Sequence, residues 1–584
     1  MSNIFKFLLF TTLALISTAQ RVNVTISTGT ISGLQVKAKS GKLVNIFKHI
    51  PYAAPPVGDL RFQKAQAPEK WDGIRDATEY GPACISNSSI TKSPQKWIDE
   101  DCLHVNIFAG ANCMENLCPV AFYIHGGSFN YDSAVMFKDE LLVNNFGAND
   151  VVLVIPGFRL GFFGLLTFGS DDVVPRNIGA HDILAALHFV KNEIKNFGGN
   201  PDDITLFGHS GGATTAAQFA LSKQIDPDQK LFQKSVMMSM SFGFTDATHM
   251  QNLTMELAYR AKCIPSRTAD YNSVEYVERV VKCLRNLDSM EILRIQRQME
   301  DEDEWQKPEF LIMTAPLFDA KDLQEFLANP KPRTIMTGTT LREMDDTNDP
   351  VEYNIVEFLG IKNRKEILKR FYNDRASNRL SFNHSSSTQA MFLSSYVIGH
   401  KIREAGGKTF LYSYANPRHP MHTDDLSYIM GVHQFEPDEN EAVLADLYPK
   451  FFTDFIKFGQ PRQDWTPLQP RLDNYMRIDV NLKENIMPHM DVHYETEVIK
   501  YWESLIEYDE LITLSKTEVK RPHAVVGNVP ETSSHGNDTF FLFYLLLPLC
   551  AVVIAALLVR CMVYRRRAEI DPVTVRSEKT PLLS

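Results

Sequence analysis

The chain has 584 residues, 44% of them hydrophobic, which is enough apolar material for one large buried core. Its formal net charge of −11 at pH 7 argues against a nucleic-acid partner, because phosphate recognition needs a basic surface. Length and composition therefore favour one large domain over several small ones.

The N-terminus has the pattern of an export signal. Lys6 precedes an apolar, uncharged stretch over residues 7–16, and Ser17, Thr18 and Ala19 follow it. Small residues at both positions before a cleavage point are typical of a secretory signal peptide. We expect this peptide to span residues 1–19 and to be cut after Ala19, which would export the rest of the chain.

A pair of glycines directly follows the apolar run at residues 120–124. Residues 120–124 read VAFYI, and residues 125–129 read HGGSF. Small residues at the end of a strand leave backbone N–H groups bare, and such groups suit an oxyanion hole for acyl transfer. An ordinary glycine turn is the alternative.

The next segments predict a strand and a helix. Residues 151–155, VVLVI, form a continuous apolar run, as expected of a strand buried on both faces of a mostly parallel sheet. Ile183, Leu187, Val190 and Ile194 recur at helical spacing. They predict a helix that covers the sheet.

The most informative motif is GHSGG at residues 208–212. It follows directly on the strand-like run DITLF at residues 203–207. A serine between glycines at this point indicates a nucleophile elbow, where a strand turns abruptly into a helix and the hydroxyl points into a cleft. The glycines are needed because a side chain would clash in so tight a turn.

Several segments together resemble the type-B carboxylesterase family, which includes the cholinesterases. The segments IPYAAPPVG (50–58) with LRF (60–62), EDCLHVN (100–106) and FGGNPDDITLFG (197–208) follow the family's order and spacing, with His104 where an aromatic residue or threonine is usual. The resemblance extends from about Thr30 to about Trp502. It implies an α/β class with the α/β-hydrolase fold, a mostly parallel central sheet flanked by helices, over residues 20–515.

The resemblance implies Ser210 as the nucleophile and Glu343 as the catalytic acid. The family's acid is a glutamate five residues after a glycine that ends a strand, and Gly338 supplies that glycine. Met344 stands where the family usually has a small residue.

The resemblance also implies His422 as the catalytic base. The family's histidine opens an H-x-x-E-[LI]-x-[YF] stretch that ends in glycine, and residues 422–431 fit it with Asp425 in place of the glutamate. His419 is a nearby competitor whose spacing to the Leu-x-Tyr portion does not match. Nucleophile, acid and base then follow the α/β-hydrolase order.

The family positions of the oxyanion donors fall on the backbone N–H groups of Gly127, Ser128 and Gly211. The family most often has glycine at 128 and alanine at 211. Because the donors are backbone groups, neither departure removes a donor. Ser128 mainly adds bulk beside the acyl group.

His209 replaces the glutamate that usually precedes the nucleophile in this family. A Gly-His-Ser elbow is also common in lipases, and simple packing beside the elbow is the alternative role. The choline-binding tryptophan of cholinesterases would fall near Lys92, and Trp97 is much closer to the cysteine of the second signature. Cholinesterase activity is therefore not expected.

Six of the eight cysteines precede the C-terminal apolar segment, which fits an oxidising compartment. The resemblance pairs Cys84 with Cys102 and Cys263 with Cys283. Cys113 and Cys118 remain, and a local bridge between them has no support from the family pattern. Zinc binding is the alternative for these cysteines, but we expect neither a metal nor a cofactor. Sequons for N-glycosylation stand at Asn23, Asn87, Asn252, Asn383 and Asn537.

The C-terminus predicts a membrane anchor. Residues 540–559 contain no charge, are long enough to span a bilayer, and precede Arg560 and an arginine run at 565–567. The positive-inside rule then places residues 560–584 in the cytoplasm. Residues 516–539 are polar and lack periodicity, as expected of a flexible stalk. The resulting topology is a single-pass type I membrane protein with its catalytic domain extracellular or luminal.

The cytoplasmic tail contains EKTPLL at residues 578–583, which resembles the acidic dileucine signal that clathrin adaptors bind. Coincidence is the alternative for so short a motif. A working signal would favour endosomal or lysosomal membranes over the plasma membrane.

The sequence leaves three functions to compare. The first is a membrane-anchored serine esterase that hydrolyses small carboxylic esters through an acyl-serine intermediate. The second is a neuroligin-like cell-surface adhesion or binding protein, which the topology alone would favour. The third is a lipase that acts on long-chain acylglycerols. The complete set of catalytic motifs favours the esterase.

Overall fold

The computed structural model describes residues 20–86, 97–267, 273–302, 307–347 and 350–519. Its strands are β1 (Gln20–Ile26), β2 (Gly29–Lys37), β3 (Leu43–Pro51), β4 (Ile74–Asp76), β5 (Ala83–Cys84), β6 (Ile98–Asp99), β7 (His104–Gly110), β8 (Cys118–Ile124), β9 (Val152–Pro156), β10 (Gly199–His209), β11 (Lys234–Met238), β12 (Thr334–Thr340), β13 (Lys408–Tyr414), β14 (Tyr475–Ile478) and β15 (His489–Asp491).

The α-helices lie between these strands and after them. They are α1 (Asp139–Asn145), α2 (Gly161–Leu165), α3 (Ile178–Glu193), α4 (Gly211–Leu221), α5 (Ala247–Arg260), α6 (Val274–Arg285), α7 (Ser289–Glu302), α8 (Leu323–Phe326), α9 (Glu352–Phe358), α10 (Arg364–Ala376), α11 (Ser386–Glu404), α12 (Leu426–Ile429), α13 (Glu439–Phe458) and α14 (Thr496–Val519).

One sheet organises the domain. Within the described residues it contains 13 strands in the order β1-β2-β3-β7-β9-β8-β10-β11-β12-β13-β14-β15, with β4 paired to β2. Neighbouring strands are parallel from β9 across to β14 and antiparallel towards both edges, except that β4 is parallel to β2. This confirms the predicted α/β class with a mostly parallel central sheet. The loops after β8, β10, β12 and β13 consequently emerge at the same edge of the sheet.

The sheet is buried on both faces because its central strands are apolar at consecutive positions. On β9, Val152 and Val154 join one core cluster, whereas Leu153 and Ile155 join the cluster on the opposite face. The side chains of a strand alternate between its faces, so a continuous apolar run needs helices on both sides. The strand predicted at residues 151–155 is confirmed, with bounds shifted by one residue.

Helix α3 confirms the predicted helix ahead of the elbow strand. Ile183, Leu187 and Val190 lie on α3 and are fully buried. Ile194 is also buried but lies in a short 3₁₀ turn that follows α3. The elbow strand β10 is longer than the predicted run of residues 203–207 and extends to His209.

The terminal predictions fall mostly beyond the described part of the chain. The signal peptide (1–19), the apolar segment (540–559) and the tail (560–584) all lie outside the described residues. Among the described helices, none has both the length and the apolar character that a membrane crossing requires. Helix α14 continues to Val519, so the first residues of the predicted stalk (516–539) are helical rather than irregular.

Candidate active site

Ser210 occupies the turn between β10 and α4. Its backbone has φ 55° and ψ −125°, a conformation that L-residues rarely adopt. Its N–H donates to the carbonyl of Met238 on β11, and its own carbonyl accepts from the N–H of Thr214, both at 2.9 Å. The backbone is thus fixed on both sides of the turn, and Ser210 lines a cavity. Strand, strained turn and helix follow in the order that the motif predicts.

Two glycines let the chain pass closely through this turn. A Cβ atom on Gly208 would lie 2.2 Å from the carbonyl oxygen of Gly212. A Cβ atom on Gly212 would lie 2.1 Å from the carbonyl oxygen of Ile124. Because both obstacles are backbone atoms, a side chain at either position would displace the strand or the helix.

Glu343 and His422 lie in the loops that follow β12 and β13. Nδ1 of His422 donates to Oε2 of Glu343 at 2.6 Å, and the backbone N–H of His422 donates to the carbonyl of Glu343 at 2.8 Å. The other carboxylate oxygen accepts from the N–H of Thr340 at 2.8 Å. A carboxylate held in this way fixes the tautomer of the imidazole and directs Nε2 towards proton transfer.

The surroundings of His422 make the ring more basic. Burial by itself lowers the pKa of His422, but the hydrogen bond and charge of Glu343 outweigh it, and the charges of Asp425 and Asp132 add to the same effect. The pKa of His422 is therefore raised above its ordinary value. An imidazolium that forms during a reaction is stabilised at this position.

Two further carboxyl groups near His422 differ from ordinary surface acids. Burial raises the pKa of Asp425 and of Asp132 to about 7. Oδ2 of Asp425 accepts from the hydroxyl of Tyr448 at 2.6 Å, while its Oδ1 has no hydrogen-bond partner in the described structure. Sequence analysis identified Asp425 only as a departure from the family pattern, and it missed Asp132 because no motif marks that residue.

The competitor His419 is engaged elsewhere. Its Nδ1 donates to Oε1 of Glu441 at 2.5 Å, and its ring stacks on Phe435 with centroids 3.6 Å apart. Among the described residues that line the cavity of Ser210, His422 is present and His419 is not. The structure thus brings Ser210, Glu343 and His422 together and leaves His419 outside that group.

The loop after β8 carries two of the predicted oxyanion donors, Gly127 and Ser128, and Gly211 begins α4; Ser128 and Gly211 line the same cavity. Gly127, Ser128 and Phe129 have positive φ values of 86°, 52° and 61°, so three consecutive residues adopt a left-handed backbone. A Cβ atom on Gly211 would lie 2.8 Å from the backbone nitrogen of Ser128, which shows how closely the two segments approach. Among the backbone hydrogen bonds of the turns and loops in the described residues, none has the N–H group of Gly127, Ser128 or Gly211 as its donor.

Contacts distant in sequence hold this strained loop in place. The carbonyl of Ser128 accepts from the N–H of Phe310 at 3.0 Å, and that of Phe129 accepts from Gly161 at 2.7 Å. On α7, the side-chain amide of Gln296 donates to Oδ1 of Asn130 at 2.7 Å. With the carbonyls and the Asn130 side chain satisfied, the loop is fixed by its surroundings rather than by its own propensity.

The cavity in front of Ser210 has a volume of about 410 Å³. Its lining includes the apolar side chains of Phe242, Phe358, Ile355 and Met391 and the charged side chains of Asp246, Lys307 and Glu309. A cavity with this mixed lining suits a substrate that has both apolar and polar groups. No sequence motif marks these lining residues, because they come from four separate segments of the chain.

The cysteines form three disulfide bonds. The implied pairs Cys84–Cys102 and Cys263–Cys283 are confirmed, and Cys113 pairs with Cys118. The bridge left open by the sequence is therefore present, and the zinc alternative is wrong for these six residues.

Of the predicted glycosylation sites, those within the described residues are on the surface. Asn23, Asn252 and Asn383 are exposed, as an attached glycan requires. Asn87 and Asn537 lie outside the described residues.

Comparison with known proteins gives a consistent result. A sequence model described as "Carboxylesterase family" matches residues 20–502. Carboxylesterase 5A of Mus musculus is 27% identical over 492 residues, covering 75% of this chain and 82% of that protein. A carboxylic ester hydrolase of Bombus ignitus is 25% identical over 561 residues, covering 84% of this chain and 95% of that protein.

Another relative has a higher sequence identity over a shorter stretch, and a solved structure has a similar fold. Gut esterase 1 of Caenorhabditis briggsae is 34% identical over 220 residues, which cover 37% of this chain and 38% of that protein. The crystal structure of juvenile hormone esterase from Manduca sexta, with OTFP covalently attached, superposes with a TM-score of 0.69 at 21% identity. That alignment covers 84% of this chain and all of the other, and it supports the α/β-hydrolase fold.

Proposed function

The chain belongs to the carboxylesterase family, and from this premise we propose that it is a membrane-anchored serine esterase that works through an acyl-serine intermediate. As a carboxylic ester hydrolase it requires a nucleophile, a base and a site for the oxyanion. We assign these roles to Ser210, to His422 oriented by Glu343, and to three backbone N–H groups.

One observation carries the assignment. The 2.6 Å bond from His422 Nδ1 to Glu343 lies at a cavity that Ser210, Gly211 and Ser128 also line. A buried imidazole–carboxylate pair beside a serine on a strained turn is the constellation that acyl transfer needs.

The proposed reaction follows from these groups. His422 removes the proton from the hydroxyl of Ser210 as the serine oxygen attacks the ester carbonyl carbon. The carbonyl oxygen becomes an oxyanion and accepts hydrogen bonds from the N–H groups of Gly127, Ser128 and Gly211, each contributing about 3 kcal/mol to the transition state. The imidazolium then protonates the departing alcohol oxygen, and the C–O bond to the alcohol breaks.

Hydrolysis of the acyl-serine repeats the sequence with water as nucleophile. His422 takes a proton from water, the hydroxide oxygen adds to the acyl carbon, and the serine oxygen leaves with the proton of His422. The products are a carboxylic acid and an alcohol, and the enzyme returns to its starting state.

The mixed apolar and charged lining of the cavity suggests a substrate class for the reaction. Phe242, Phe358 and Met391 form an apolar surface suited to an aliphatic or aromatic acyl group, while Asp246 and Lys307 offer polar contacts. Small esters with an apolar acyl group fit this arrangement. The turnover of esters of increasing acyl length distinguishes this substrate class from long-chain acylglycerols.

The proposed membrane anchoring rests on the sequence. The uncharged segment at 540–559 and the basic residues after it predict a single-pass type I topology, with residues 20–515 extracellular or luminal. Glycans at the predicted sequons, and binding of a clathrin adaptor to the motif at 578–583, belong to the same proposal.

The test compares the full-length protein with its Ser210→Ala variant in detergent-solubilised membranes. The wild type should hydrolyse p-nitrophenyl esters, with turnover falling as the acyl chain lengthens, and an organophosphate should label Ser210. The variant should lose nearly all turnover and all labelling, because no other group in the proposed set is a nucleophile. A wild type that folds but shows no turnover would favour the adhesion or binding function instead.

A further inference from the structure

His209 is buried against the proposed base. It is the last residue of β10, directly before Ser210, and only 2% of its surface is exposed. The centroid of its ring lies 4.8 Å from that of His422, with the ring planes inclined at 33°. The residue before the nucleophile therefore forms one wall of the space that holds His422.

The groups whose charges raise the pKa of His422 are carboxylates. Glu343 lies in the loop after β12, Asp132 in the loop that begins after β8, and Asp425 in the turn that His422 itself begins. Asp424, in the same turn, also interacts electrostatically with His422. Each of these carboxylates, when ionised, stabilises the protonated ring and raises the pH at which it gives up its proton.

His209 differs from them because its surroundings keep it uncharged. Burial lowers the pKa of His209 well below its ordinary value, and the nearby His422 and His433 lower it further. Nε2 of His209 is buried and has no hydrogen-bond partner in the described structure. A protonated ring would carry a donor N–H at that nitrogen with nothing to accept it, so the neutral form is favoured.

From this geometry we propose that His209 is a positioning residue that keeps one side of His422 free of negative charge and so sets the pH at which the base becomes active. The inference rests on the proposed role of His422. A carboxylate at position 209, which the resembled family usually has, would add a negative charge against a ring already surrounded by carboxylates. The neutral imidazole limits that effect and extends activity towards lower pH.

The experiment measures kcat/KM against pH for the full-length wild type and two variants, using p-nitrophenyl acetate in a stopped assay read at alkaline pH. His209→Glu should move the acidic limb up by about one pH unit, the usual effect of an adjacent opposite charge. His209→Gln, which keeps the position polar and neutral, should leave the limb within 0.2 units of the wild type. The position of a limb does not depend on the fraction of active protein, and organophosphate labelling at the alkaline plateau measures that fraction separately.

His433→Glu is the matched control. His433 is exposed and also interacts electrostatically with His209, so the variant introduces the same residue in water rather than in the buried wall. Solvent screening should leave its limb at the wild-type position.

Two outcomes would overturn the inference while leaving the proposed function intact. One is a limb in His209→Glu that coincides with that of the wild type; the other is an equal displacement in His209→Gln, which would make ring shape the cause. If His209→Glu binds no organophosphate, His209→Asp replaces it and the same two outcomes apply. Absence of turnover in the wild type would instead contradict the proposed function itself.

Discussion

The chain contains two histidine–glutamate pairs whose histidines lie three residues apart, and they have different surroundings. His422 donates to Glu343 at 2.6 Å, and His419 donates to Glu441 at 2.5 Å. Both glutamate side chains are buried almost completely. The bond between the two side chains is therefore nearly the same in both pairs.

The difference lies in what else each glutamate binds. Glu441 also accepts from the guanidinium of Arg418 at 2.5 Å, from Asn416 at 2.9 Å and from the N–H of Asp438 at the start of α13. Its charge is shared with an arginine and stabilises a helix terminus. Glu343 binds no cation besides its histidine in the described structure, so its charge acts on His422. An imidazole–carboxylate pair thus becomes a base only where the carboxylate is not neutralised and the ring faces the nucleophile.

Replacing each histidine by alanine tests the comparison most directly. His422→Ala should reduce kcat by about 10³-fold or more, because no other group can take the proton of Ser210. His419→Ala should keep kcat within about threefold of the wild type, since its ring lies outside the cavity. Turnover of p-nitrophenyl acetate, normalised to protein correctly folded by circular dichroism, measures both. If His419→Ala folds but is inactive, the assignment of the base to His422 is wrong.

Replacing each glutamate by glutamine should lower activity at one position and stability at the other. Glu343→Gln should lower kcat by about 10²-fold or more, but by less than His422→Ala, since the amide leaves the ring in place without its counter-charge. Glu441→Gln should leave kcat nearly unchanged and cost about 2 kcal/mol of folding free energy through weakened charged hydrogen bonds. Kinetics and thermal denaturation measure the two effects.

The contribution of Glu441 to folding stability should fall as the pH is lowered. Burial alone would raise the pKa of Glu441, but hydrogen bonds from Asp438, Asn416 and His419 lower it overall. A depressed folded-state pKa stabilises the protein above the unfolded value of about 4.3 and ceases to do so as the pH falls through the depressed value. The Tm difference between wild type and Glu441→Gln should therefore shrink on acidification. A difference that grows in acid would contradict the charged role of Glu441.

The Asp425→Asn variant tests how the charge of Asp425 affects the pKa of His422. Activity should rise with pH as His422 loses its proton, at a pKa raised in part by Asp425. Removing that charge should shift the acidic limb of kcat/KM down by about half a unit, whereas Glu441→Gln should not move it. Coincident limbs for Asp425→Asn and the wild type would show that the charge of Asp425 does not contribute to the basicity of His422.

The smallest effect concerns the stacking partner of the second pair. Phe435→Leu removes the aromatic ring that lies 3.6 Å from His419 and should cost about 1 kcal/mol of stability. Esterase turnover should stay within twofold of the wild type. Chemical denaturation and the standard ester assay are the two measurements, and a large loss of turnover would connect the pair to the active site after all.

The parts of the site that the sequence predicts are those written into short contiguous segments. The turn at Ser210 needs glycines at fixed positions because backbone atoms lie within about 2 Å of any added side chain, so local sequence records it. His422 was separable from His419 only through the spacing of the resembled motif. The strand at β9 was evident because burial on both faces demands a continuous apolar run.

The parts of the site that the sequence does not predict depend on contacts between distant segments. Asn130 meets Gln296 across 166 residues, and Glu441 meets His419 across 22. Nothing near Gln296 in the sequence distinguishes it from any other glutamine on a helix. Cys113 and Cys118 could not be paired from the family pattern, although their separation of 5 residues permits a bridge. Pairing across space is decided by the packing of whole elements, which periodicity and motifs do not encode.

The double link between Glu343 and His422, one bond from the ring and one from the backbone, has a mechanical consequence. It joins the proposed acid and base, which follow β12 and β13, into one unit, whereas Ser210 belongs to the separate turn between β10 and α4. Glu343 and His422 cannot move apart without losing both the bond from the ring and the bond between their backbones. The acid–base distance is thus fixed by two bonds of its own, independently of the turn that carries Ser210.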